Sequence, residues 1–148
     1  MTLSEEIRKK LISQIPPEKG LVIFDGNCSL CNSLVGLLLK FDRNKKIHFT
    51  SVNSSVFMQA IDNLNTNEKP PPSLFYINQK GVFTQSEAFL EIALNMGVFP
   101  VIIRIISLIP VAFRDVVYRF VARNRYRWFG NTEQCIIPSQ QDADRFLK

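Results

Sequence analysis

The chain has 148 residues, 46% of them hydrophobic and 21% charged, with a formal net charge of +5. This length and balance suit one globular domain with a real core, and exclude a charge-dominated disordered chain. Three cysteines are too few for a disulfide-stapled secreted scaffold, and 12 phenylalanines predict a partly aromatic core.

In chain order, Leu3, Ile7, Leu11 and Ile15 recur at helical spacing around Ser4-Glu5-Glu6 and Arg8-Lys9-Lys10. This predicts a capped amphipathic helix over residues 1–17, ended by Pro16-Pro17. It is not a basic-then-apolar leader, so a cytoplasmic location is expected. An apolar strand over 20–25 follows, then Gly26-Asn27, then a helix over 29–42 carrying Leu34, Leu37, Leu38 and Phe41. Cys28 and Cys31 therefore fall where a strand turns into a helix. Positions three apart share a helix face, within disulfide range of each other. The helix start favours a thiolate. Cys28 is thus the expected nucleophile, with a depressed pKa, and Cys31 the expected resolving thiol. Asp25, three residues before Cys28, suits two roles equally: relaying the Cys31 proton, or capping free N–H groups of the turn. In a cytoplasmic chain a C-x-x-C beside a βαβ pattern reads as redox-active.

Alternating Ile47-His48-Phe49-Thr50 predicts a strand over 46–52, and Val56, Ala60, Ile61 and Leu64 a helix over 54–64. His48, the only histidine, reads as a packed polar residue. A proline-rich loop to Pro72 precedes a strand over 73–78, and Gln79-Lys80-Gly81 turns it into Val82-Phe83-Thr84. Ser86 is expected to cap a helix over 87–96 that ends at Gly97. The order β-α-β-α-β-β-α predicts an α/β fold, a four-stranded mixed sheet with helices on both faces.

Residues 98–130 form a helical extension with six arginines and one aspartate, a net +5 equal to the whole chain's excess. Val101, Ile102, Ile105, Leu108 and Ile109 make it very apolar, but no run reaches the ~18–20 residues of a membrane span. A buried helical pair is expected, with an Asp115–Arg119 ion pair and with Val116, Val117, Phe120 and Val121 facing inward. The arginines suit either a structural network with backbone carbonyls and Asp115, or an anionic ligand. Cys135 reads either as a small buried hydrophobe or as a second resolving thiol.

The order of elements, with C-x-x-C at the first core helix, is similar to thioredoxin-like proteins. That likeness puts Pro72 where those folds carry a cis-proline, and with Ser73 it marks the substrate-binding edge. Asp25-x-x-Cys28-x-x-Cys31 resembles the D-x-x-C-x-x-C signature of the DCC family of predicted thiol–disulfide oxidoreductases. Ser86-Glu87-Ala88, Arg114-Asp115-Val116-Val117-Tyr118 and Ala122-Arg123-Asn124-Arg125-Tyr126-Arg127 resemble that family's middle and C-terminal elements. The resemblance implies one thioredoxin-like domain over 1–148, with a redox core at 20–97. It also implies disulfide exchange with a protein or small-molecule substrate, with glutathione or a thioredoxin-type reductant as partner. No cofactor or bound metal is expected, and nucleic acid is not an expected partner. The alternatives are a thiolate metal-binding module using Cys28 and Cys31, and a non-catalytic interaction domain.

Overall fold

The computed structural model describes residues 5–62, 74–131 and 139–148. The elements are α1 (Glu5–Ile12), β1 (Gly20–Phe24), α2 (Ser29–Phe41), β2 (Ile47–Ser51), α3 (Ser55–Asp62), β3 (Phe75–Asn78) and β4 (Gly81–Thr84). α4 (Gln85–Met96), α5 (Pro100–Ser107), α6 (Val111–Phe129), a single 3-10 turn and β5 (Phe146–Leu147) complete them. This is the expected α/β, thioredoxin-like order. The sheet, however, has five strands in the order β4-β3-β1-β2-β5, not four. The fifth is the two-residue β5, parallel to β2 through Phe49–Phe146 and Thr50–Leu147. Two residues are too short to show a period-2 pattern, which is why the sequence does not announce it.

β1 lies in the middle, parallel to β2 and antiparallel to β3, and all five of its residues are buried. Its alternation serves two cores. Leu21 and Ile23 pack with Ile7, Leu11 and Phe57, from α1 and α3, on one face. Val22 and Phe24 pack with Val35, Ala88 and Ile92, from α2 and α4, on the other. A strand covered on both sides reads as a continuous apolar run, and Gly20-Leu21-Val22-Ile23-Phe24 does so. β2 is held at its start by Asp42, which accepts the N–H groups of Lys46 and Ile47 at 3.1 and 2.9 Å. Asp42 also pairs with Arg145 at 2.5 Å, and both side chains are buried. The chain's last turn is thereby fastened to the sheet.

Three expectations need correction. α4 begins at Gln85, and its N-cap Thr84 makes no side-chain capping bond. Ser86 instead donates both its N–H and its hydroxyl to Asp115 of α6, at 3.4 and 2.5 Å. Asp115 is thus turned to α4, and among the described residues no ion pair joins it to Arg119. The buried helical pair is not observed either. Val116, Val117 and Phe120 are all exposed, and α5 buries no residue. The reason lies in the inward stripe of α6, which carries Asp115, Tyr118 and Arg125. Each meets a specific partner: Ser86, the backbone N–H of Leu74, and Asp25 with Cys31. Those polar contacts fix the helix's rotation and leave its apolar residues outside.

Candidate functional site

The site sits at the carboxyl end of β1. Asp25 leaves the strand, and its Oδ1 accepts the N–H of Asn27 at 3.0 Å. The capping reading of Asp25 is therefore present in the geometry. Asn32 reaches back from α2 to the carbonyl of Gly26 at 2.9 Å, which fixes the same turn. Cys28 is the N-cap of α2, in extended conformation, and its Sγ accepts the N–H of Cys31 at 3.4 Å. The Cys28 side chain thus takes the N-cap's place, accepting one of the free N–H groups of the first turn. Both cysteines are free thiols.

The two thiols are not equally placed. Cys28 is fully buried, and its backbone pairs with Asn131, just beyond α6. Cys31, one turn further in, is half-buried. Burial pushes the Cys31 thiol up to about 12, and the adjoining Cys28 sulfur adds to the rise by accepting its proton. Asp25 adds to it as well, while the Arg125 guanidinium opposes it. At neutral pH Cys31 therefore stays protonated and acts as donor to its neighbour.

Arg125 is the residue that sequence reasoning did not place. It is buried, with one Nη 3.7 Å from Cys31 Sγ and the other 3.3 Å from Asp25 Oδ2. Its guanidinium also stacks over the Tyr126 ring, 4.8 Å from the centroid. Tyr126 donates its hydroxyl to the same Asp25 oxygen. Burial and that hydrogen bond raise the Tyr126 phenol to about 12, so it remains a donor. The sequence shows Arg125 as one of six arginines and within the stretch that resembles a C-terminal family element, with no role of its own; what singles it out is its place on the inward stripe with Asp115 and Tyr118. Pro72, Ser73 and Cys135 lie outside the described residues. His48 sits within β2, where burial lowers its pKa. Among the described residues no cluster of three or more His, Cys, Asp or Glu side chains is placed to hold a metal ion.

A cavity of about 340 Å³ opens beside Cys31. Leu30, Leu34, Leu74, Phe89, Val121 and Ala122 form most of its wall, with Tyr118 and Arg125. The Tyr118 hydroxyl already accepts the N–H of Leu74 at 3.0 Å, and Arg125 is turned to Asp25 and Cys31. The space next to the thiol is thus apolar, with its two polar neighbours engaged.

Residues 22–131 match the DCC1-like thiol-disulfide oxidoreductase family. The chain belongs to that family. It is similar to the uncharacterized protein YuxK of Bacillus subtilis, 33% identical over 135 residues, covering 90% of this chain and 96% of YuxK. It is also similar to a chloroplastic DCC family protein of Arabidopsis thaliana, 30% identical over 121 residues, covering 80% of this chain and 69% of that protein. No solved structure matches it. The family match takes in both the C-x-x-C turn and α6, the two parts that Asp25 and Arg125 bring together. A general thiol–disulfide redox role follows from family membership.

Proposed function

We propose that the whole chain acts as one cytoplasmic thiol–disulfide oxidoreductase domain, with Cys28 as nucleophile and Cys31 as resolving thiol. The observation that carries this reading is the hydrogen bond from the Cys31 N–H to Cys28 Sγ at the start of α2. The Cys28 thiolate attacks one sulfur of a substrate disulfide, forms a mixed disulfide, and expels the other sulfur as a thiolate. Cys31 then loses its proton and attacks Cys28 Sγ, which releases the second substrate thiol and leaves the Cys28–Cys31 disulfide. A dithiol reductant of the thioredoxin type returns the pair to its reduced form.

The environment of Cys31 orders these steps. Two of the causes that hold its proton on are the hydrogen bond and the charge of Cys28. Both vanish once Cys28 is tied up in a mixed disulfide, while Arg125 still favours the Cys31 thiolate. Asp25 lies within the same network and serves as acceptor for the departing proton. Because Cys28 is fully buried, attack requires a local opening that uncovers its sulfur.

The cavity beside Cys31 selects the substrate. Glutathione carries two carboxylates and would find only Arg125 there, already held by Asp25. A disulfide with an apolar substituent fits. Alkyl 2-pyridyl disulfides from methyl to hexyl test this: exchange is expected to speed up with chain length, by up to about fourfold per buried methylene. A series flat from methyl to hexyl contradicts the apolar-substrate reading while leaving the thiol chemistry intact.

A further inference from the structure

α5 and the first half of α6 present their apolar side chains to solvent. On the first helix and its C-cap, Val101, Ile105 and Leu108 recur at i, i+4 and i+7 and are 69%, 60% and 83% exposed. On the second, Phe113 and Val117 are 69% and 64% exposed, and Phe120 lies on the same side. A helix in a water-soluble domain normally turns such a stripe inward, and exposed apolar surface of this kind marks an interaction site. Behind it, between these helices and α4, lies a second cavity of about 530 Å³, lined by Leu90, Ile103, Ile106, Phe113 and Val117 among others.

Charge identifies what covers this face. Arg104, Arg119, Arg123 and Arg127 are all exposed, and Asp115, the one acidic residue between positions 98 and 130, is turned to Ser86. Every exposed charge on the two helices is therefore positive. Neither helix is long and apolar enough to cross a membrane. Helices with an apolar face, arginines beside it and no spanning length lie in the interface of a bilayer. We propose that α5 and α6 dock this protein on the surface of a membrane bearing anionic lipids. The apolar side chains enter the headgroup boundary and the arginines meet lipid phosphates. A second copy is the poorer occupant, because a two-fold dimer would bring together two apolar faces whose flanking charges are all positive. Phe113 and Phe120 stand among Val101, Ile105, Leu108 and Val117, a mainly aliphatic surface that suits acyl chains better than bases, so a single strand is a poorer fit.

Sedimentation of the full chain with vesicles tests this, comparing phosphatidylcholine alone with an equal mixture of phosphatidylcholine and phosphatidylglycerol. Binding to the anionic vesicles is expected to be at least about tenfold tighter and to weaken with salt. The double variant Ile105→Asp, Val117→Asp is expected to abolish it. Should that variant fail to fold, Arg119→Glu with Arg123→Glu carries the test, by erasing the preference for anionic vesicles. No binding to either vesicle overturns the proposal, and so does equal binding by wild type and a folded Asp variant. A solution dimer that the Asp variant dissociates, with no vesicle binding, overturns it in favour of a second copy.

Discussion

Cys28→Ser is expected to lower disulfide-exchange activity by about a thousandfold or more, because among the described residues no other thiol holds a free N–H of the helix start. Cys31→Ser is expected to behave differently. It keeps the attacking thiol but cannot resolve, so a mixed disulfide should accumulate on Cys28 after one turnover. Insulin reduction checks the first expectation, and intact-protein mass after exposure to a disulfide substrate checks the second. The reverse pattern, with Cys28→Ser forming the stable mixed disulfide at Cys31, would exchange the roles. The half-exposed position of Cys31 makes that outcome worth looking for; its raised pKa argues against it. The distinction matters because the more accessible sulfur, Cys31, is the one whose proton is held on, and the thiolate is the nucleophile.

Arg145→Ala is expected to destabilise the fold by about 3–5 kcal/mol, the cost of leaving a buried carboxylate without its partner. Arg145 pairs with Asp42 at 2.5 Å and with Asp142 at 3.1 Å, donates to the carbonyl of Ile47 at 3.0 Å, and lies over the Phe49 ring. Its loss strands Asp42 and loosens β5, whose Phe146 stacks on Phe49 with centroids 5.2 Å apart. Urea unfolding followed by far-UV circular dichroism measures the effect. The double variant Asp42→Asn, Arg145→Met should cost less than Arg145→Ala, because the buried carboxylate goes with its partner and Asp142, the other carboxylate on Arg145, is partly exposed. A loss below about 1 kcal/mol for Arg145→Ala would mean that the terminal turn contributes little to the sheet.

Much of this architecture could be read from the residues. β1 shows as an apolar run, α2 as a 3.6-residue pattern, and the Cys28–Cys31 spacing places both thiols on one turn. Two things could not be read. One is pairing over long sequence distance: Asp42 with Arg145 and Asp25 with Arg125 are each about a hundred residues apart, and nothing local marks them. The other is the orientation of α6. Hydrophobic patterning predicts Val116, Val117 and Phe120 inside. The helix turns the other way because Asp115, Tyr118 and Arg125 each have a specific buried or half-buried partner. A buried polar group without a partner costs more than an exposed valine, so the polar stripe sets the rotation. Of these pairings, Arg125 with Asp25 and Cys31 joins α6 to the C-x-x-C turn.

Cys28 and Cys31 are expected to form a reversible redox pair. Equilibrating the protein against reduced and oxidised glutathione, then alkylating free thiols and reading the mass, tests it most directly. The account predicts an intramolecular Cys28–Cys31 disulfide that forms and breaks over a defined range, with a potential inside the roughly −270 to −120 mV of thioredoxin-like couples. A pair that stays fully alkylatable across the whole range would contradict it.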